Sequence, residues 1–128
     1  MHSFAEKRRR GATTLWEYWP ESLTDRSHNH PLFGAVVAYL YDYLLGIRNK
    51  DGSAGYRERE ISPVFVKNIN RLEGHRTLPG GKVSVVYERK DGEIFVTVSA
   101  PENQHAEFIH QGKRFILCAG ENRFVLSD

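Results

Sequence analysis

The chain has 128 residues, and its 18 Lys and Arg against 16 Asp and Glu leave a formal net charge of +2, which provides no basic footprint for nucleic acid across the domain. With 40% apolar, 27% charged and 12% aromatic residues it is a folding sequence rather than a disordered one, sized for one domain or one domain plus a remnant. Cys118 is the single cysteine, which excludes an intrachain disulfide and a cysteine-rich metal site.

The four basic residues Lys7 to Arg10 form a lone run, the pattern of a solvated tail. Met1 to Arg10 lacks the apolar stretch of a signal peptide, which leaves the cytoplasm as the default location. The following stretch, Gly11 to Gly34, gathers Trp16, Trp19, Tyr18, Glu17, Glu21, Asp25, His28 and His30 into a mostly non-helical span. Aromatic platforms beside carboxylates suit a carbohydrate: sugar C–H faces stack on indoles, while carboxylates and imidazoles take the hydroxyl hydrogens. A carboxylate placed opposite the leaving group can also activate water as a general base. Composition alone leaves other readings open. Glu17 between two aromatics is also what an exposed loop carboxylate looks like. His28 and His30 at i, i+2 form half of a metal site without a third ligand at a recognisable spacing, so no metal is assigned. The letters His28-Asn29-His30 match a nuclease motif in name only, because that motif spreads its residues over a ββα unit.

Next, Leu32, Phe33, Val36, Val37, Leu40, Leu44 and Leu45 follow helical spacing within Pro31 to Ile47, with Asn29 as N-cap and Gly46 near the end. The opposite face carries Tyr39, Tyr41 and Tyr43, and the only charge is Asp42. A helix apolar on nearly every side requires burial on nearly every side. The remaining chain is too short to supply it, so the tyrosines are expected to pack on helices from elsewhere. The run Leu32 to Leu45 is too short and too interrupted to span a bilayer.

After Gly55 the period changes from helix to strand. The predicted strands are Glu60 to Lys67, Asn70 to Leu78, Val83 to Glu88, Ile94 to Ser99, Ala106 to His110, Arg114 to Cys118 and Arg123 to Leu126. Asp91-Gly92 marks a two-residue hairpin turn. Short strands at spacings of about ten residues predict an antiparallel β-sandwich. Cys118 is expected to be a small buried residue in a strand, and His75, His105 and His110 are expected at surface or edge positions.

Gly11-Ala12-Thr13-Thr14-Leu15-Trp16-Glu17-Tyr18-Trp19 resembles the GATTxWExW signature of bacterial and fungal α-L-rhamnosidases, glycoside hydrolase family 78. Ser27-His28-Asn29-His30, followed by Phe33-Gly34 and an apolar helix, is similar to that family's S-x-N-H…G continuation. Gly46-Ile47 and Gly55-Tyr56 resemble its junction between barrel and tail, and Ile61-Ser62-Pro63 with the later strands resembles its C-terminal β-sandwich. The resemblance covers nearly all of the chain after Arg10.

The resemblance implies a mixed fold: a basic tail over residues 1–10, the end of an (α/α)₆ catalytic barrel over residues 11–50, one loop plus one long helix, and a β-sandwich over residues 51–128. It implies that Glu17 is the general base of an inverting hydrolysis of terminal α-L-rhamnosides, that His30 lines the rhamnose pocket, and that Trp16 and Trp19 form its wall. The family's general acid lies on a loop well upstream, which no part of this chain matches, so little activity is expected without the upstream barrel. No cofactor, nucleic acid or membrane is implied. The expected partners are rhamnose-containing glycosides and either the rest of a barrel or a second copy held through the apolar helix. Two rival readings are a stand-alone carbohydrate-binding or interaction sandwich, which would need an aromatic platform on its strands, and a truncated frame without its own function. Tyr56, Phe65, Tyr87, Phe95, Phe108, Phe115 and Phe124 mostly fall at core-alternating positions, which argues against such a platform.

Overall fold

Eight β-strands carry most of the structure: β1 (Ile47–Asn49), β2 (Glu58–Ile61), β3 (Arg71–Leu78), β4 (Gly81–Lys90), β5 (Glu93–Ala100), β6 (His105–His110), β7 (Lys113–Ile116) and β8 (Gly120–Ser127). They are preceded by helix α1 (Gly34–Tyr39) and a π-helical turn, Leu40–Leu44. The computed structural model describes residues 8–9, 11–14, 16, 29, 31, 34–102 and 105–127. The chain divides into two units, Met1–Tyr39 and Leu40–Asp128.

In the first unit, α1 buries none of its residues. Val36 is 62% exposed, and Val37 and Tyr39 are also exposed. The spacing predicts a long helix to Ile47, and the α-helix is shorter than that. In the second unit the backbone widens, with the Leu45 amide donating to the Leu40 carbonyl at 3.0 Å, the five-residue reach of a π turn. Gly46 then takes φ +66°, and a Cβ there would lie 2.1 Å from the backbone of Ser62. Only glycine fits that close approach and that left-handed conformation. Ile47, expected to end the helix, begins β1 instead and is fully buried.

The strands form two four-stranded sheets ordered β1-β2-β6-β7 and β3-β4-β5-β8. The second is antiparallel throughout, and its β4–β5 register sets Val85 opposite Val98 and Tyr87 opposite Val96. Side chains alternate across a strand, so Val83, Val85 and Tyr87 share the inner face with Ile94, Val96 and Val98, and all six are buried. The first sheet adds Ile47, Ile61, Ala106 and Phe108 to the same core. Burying each such valine, isoleucine or phenylalanine contributes about 1.5–3 kcal/mol. Phe108 of β6 stacks on Phe124 of β8 at 4.3 Å, which joins the two sheets through their aromatic side chains. Asp91 (φ 53°) and Gly92 (φ 80°) make the expected hairpin turn between β4 and β5.

Three features differ from the sequence expectation. β2 pairs with β6 in parallel, Glu58 beside His105 and Ile61 beside Phe108, because the three strands between them lie in the other sheet. The strand predicted from Glu60 to Lys67 starts earlier and stops at Ile61, since Pro63 has no amide to donate to a ladder. The extended residues that follow are held by other means. Ser62 donates to the Gly46 carbonyl and Val64 to that of Tyr43, while the Arg89 guanidinium caps the carbonyls of Phe65, Val66 and Lys67 at 2.8–3.2 Å. Cys118, expected to be buried in a strand, is exposed and lies after β7 ends at Ile116. The Asn122 side chain bonds to both its amide and its carbonyl, which turns the chain there and points it away from the core.

Candidate functional site

Of the residues singled out as a sugar site, the described structure contains Trp16, which is half-buried and follows a half-buried Ala12 and an exposed Thr13 and Thr14. Glu17, Trp19 and His30 lie outside the described residues, as do Glu21, Asp25 and His28. Asn29, the expected N-cap, is exposed. Among the described residues no three His, Cys, Asp or Glu side chains group as metal ligands, and no helix is long and apolar enough to cross a membrane.

The second unit holds three polar constellations. The first centres on Arg76, an arginine at an inward position of β3 between Gly74 and Leu78. Its Nη1 donates to Asp42 Oδ1 at 2.9 Å and to the Ile47 carbonyl at 3.1 Å. Its guanidinium lies over the rings of Tyr56 (4.7 Å) and Tyr41 (5.6 Å). Arg76 therefore ties the π turn to the sandwich, and Tyr41, partly buried, packs against this chain's own core.

The second is Arg59, 1% exposed on the inner face of β2. Its Nε donates to the Tyr56 carbonyl at 2.9 Å, while Nη1 and Nη2 have no hydrogen-bond partner among the described residues. Burial lowers its pKa from the ordinary arginine value. In the observed strands both arginines occupy the phase of an apolar residue two positions on, Arg76 before Leu78 and Arg59 before Ile61.

The third lies where the edge strands β7 and β8 face each other across the open side of the sandwich. A cleft of about 250 Å³ opens there, with Phe115 and Val125 on its apolar side and His110, Gln111, Lys113 and Ser127 around it. On the outer face of the first sheet, Arg114 bridges Glu60 (2.9 Å) and Glu107 (2.7 Å), and these two carboxylates raise its pKa further. His75 and His105 are exposed and His110 is half-buried, as expected for surface and edge histidines.

These geometries accompany a clear family match. Residues 1–44 match the bacterial alpha-L-rhamnosidase 6 hairpin glycosidase domain, and residues 46–114 match the bacterial alpha-L-rhamnosidase C-terminal domain. The chain belongs to the bacterial α-L-rhamnosidase family, and it corresponds to the C-terminal part of those proteins. It is 29% identical over 109 residues to an α-L-rhamnosidase of Alteromonas sp. (strain LOR), a match covering 77% of this chain and 11% of the relative. It is 30% identical over 106 residues to that of Streptomyces avermitilis, covering 77% of this chain and 10% of the relative. The chain thus spans about a tenth of the length of these relatives. The fold is shared with the crystal structure of the native enzyme from Aspergillus terreus (TM-score 0.71, 20% identity, 98% of this chain and 16% of that one). It is shared also with the S. avermitilis enzyme complexed with L-rhamnose (TM-score 0.70, 24% identity, 99% of this chain and 15% of that one).

Proposed function

We propose that this chain is the C-terminal part of an inverting α-L-rhamnosidase, with the residues from Gly11 up to the π turn closing an (α/α)₆ barrel and the two sheets from β1 onward forming the tail sandwich. Glu17 is the general base, His30 holds the rhamnose ring through its hydroxyls, and Trp16 and Trp19 form the wall against which the ring packs. One observation carries this reading: the nine-residue run Gly11 to Trp19 falls inside the stretch that matches the 6 hairpin glycosidase domain. The binding of L-rhamnose by the S. avermitilis relative is in keeping with it.

In the proposed reaction the Glu17 carboxylate takes a proton from water, whose oxygen bonds to the anomeric carbon on the face opposite the leaving group. The glycosidic C–O bond breaks as an upstream acid protonates the departing oxygen, and the configuration inverts. Such a pair of carboxyl groups stands roughly 6.5–9.5 Å apart, which leaves room for the water. The acid belongs to the upstream barrel, so the chain alone turns over substrate at a small fraction of the complete enzyme's rate. An acid contributes about 10²–10⁴-fold, and positioning contributes in addition.

The test joins this chain to the upstream barrel of the S. avermitilis relative and assays an aryl α-L-rhamnoside. Glu17→Gln lowers kcat by about 10²–10⁴-fold with little change in KM, because it keeps the shape and removes the proton acceptor. His30→Ala raises KM instead. Near-full turnover in Glu17→Gln would overturn the assignment and point to Glu21, the nearest carboxylate on the same loop.

A further inference from the structure

The cleft between β7 and β8 has no role in the reaction just described, and it sets an exposed aromatic ring beside a cation, Phe115 beside Lys113. We infer that it binds one carboxylate-bearing sugar unit, a uronic acid residue of a glycoside chain. The inference rests on reading the chain as carbohydrate-active, and it gives that reading a second contact point on the sandwich.

The apolar side is a rigid aromatic surface. Phe115 is 39% exposed, and its ring is backed by Phe124 at 5.5 Å and Phe108 at 6.2 Å, which stack on each other at 4.3 Å. A platform fixed in this way loses little entropy when a sugar C–H face settles on it. The polar rim supplies the Gln111 amide, the Ser127 hydroxyl, the imidazole of His110 and the Lys113 ammonium. His110 is steadied by the ring of Phe65 at 5.8 Å. The volume of about 250 Å³ falls just below the usual range for drug-sized ligands, which suits a single pyranose ring.

Charge selects the class of sugar. None of the described residues lining the cleft is a carboxylate, and the nearest on the strands, Glu93, lies in register with Ser127. The neighbouring cations are occupied: Arg114 by Glu60 and Glu107, and Arg123 by Glu121 at 2.8 Å. Lys113 has no ion-pair partner among the described residues. A neutral sugar can bond to Gln111, Ser127 and His110, but it brings no charge to Lys113. A uronate brings its own acceptor oxygens to Lys113, and charge-assisted hydrogen bonds are the stronger kind.

The experiment titrates the ¹⁵N-labelled 128-residue chain with D-galacturonate, D-galactose and acetate, following backbone amide shifts. Galacturonate is expected to shift the amides of residues 110–115 and 125–127, and to bind about tenfold more tightly than galactose. Lys113→Met keeps the aliphatic stem and brings galacturonate down to the level of galactose. Phe115→Leu keeps an apolar side chain of similar reach and weakens both sugars, and Phe115→Ala does so more strongly where it remains folded. Salt at about 0.5 M weakens galacturonate alone. The proposal is overturned if acetate matches galacturonate, if galactose binds as well as galacturonate, if Lys113→Met changes nothing, or if no shifts arise at these amides. Its failure leaves the Glu17 assay standing, and failure of that assay leaves this titration standing, because the two rest on different residues and different readouts.

Discussion

Strands β4 and β5 and the segment from α1 through the π turn are both dominated by apolar residues, and they use them in opposite ways. In the strands, Val83, Val85, Tyr87, Val96 and Val98 all lie within the core, and the polar residues between them face outward. In α1 and the π turn no residue is buried, although nearly every one is apolar or aromatic. The difference is one of closure. A two-residue period lets a strand bury one face against the opposite sheet of the same short chain. A helix apolar all around needs neighbours on several sides, and six residues followed by a π turn cannot provide them for themselves. Apolar content by itself does not make a core; a second layer does.

Mutations should sharpen this contrast, beginning with the largest effect. Phe108→Ala removes the ring that joins the two sheets and is expected to cost about 3–5 kcal/mol, whereas Val36→Ala on α1 stays within about 0.5 kcal/mol. Urea unfolding of both variants checks this, and comparable losses would erase the contrast. Gly46→Ala acts at the junction of the π turn and β1. There a Cβ meets the Ser62 and Pro63 backbone at 2.1–2.3 Å with φ at +66°, so a loss of about 2–4 kcal/mol is expected. The same measurement tests it, and a near-neutral result would mean that the junction can open without disturbing the sandwich. Arg76→Met retains the apolar stem under Tyr41 and Tyr56 but loses two hydrogen bonds, for about 1–2 kcal/mol. Asp42→Asn removes only the charge of a pair whose side chains are 29% and 39% exposed, and is expected to cost less than about 0.5 kcal/mol. A double-mutant cycle reads their coupling directly.

The smallest effect is alkaline. Burial raises the pKa of the Tyr87 phenol, against the opposing pull of Arg89. A phenol whose folded pKa lies above its unfolded value near 10.0 keeps its contribution below that pH. The contribution is lost as pH rises through it toward the folded value, since the unfolded chain ionises first. Tyr87→Phe should flatten stability between pH 9.5 and 11 (approximate bounds), as followed by denaturant midpoints.

Much of the sandwich was legible from residue period alone. The alternation in Val83 to Glu88 and Ile94 to Ser99, with Asp91-Gly92 between them, leads directly to the β4–β5 hairpin. β1 was not legible, because Ile47 closes an apolar run with helical spacing, Arg48 and Asn49 are polar, and the conformation of Gly46 is what separates the three from that run. The two-residue turn between β6 and β7 escaped for a different reason. Gln111-Gly112 adopts φ 47° and 77° between β6 and β7, yet glutamine lacks the short side chain that makes asparagine or aspartate a turn signal. The exposure of Cys118 depends on Asn122 four residues away, a contact that no periodicity encodes. Of the candidate site, the motif was readable as residues, while Arg59 and Arg76 were not singled out, because a lone arginine in or beside a predicted strand carries no signal of its own until the fold places it inward.

The parallel pairing of β2 with β6 also constrains the order in which the molecule can be assembled. All of β3, β4 and β5 lie between the two strands in sequence, and each of those pairs with its immediate neighbour through a short hairpin. Closing a loop of that length before any contact rewards it is entropically unfavourable, so local hairpins form first. The β3–β4–β5 meander is therefore the part that can nucleate on its own. The sheet containing β2 and β6 closes on it late, when Phe108 finds Phe124 across the interior. During synthesis β2 emerges well before its partner, and it must wait for most of the sandwich to be made before it has anything to pair with beyond β1.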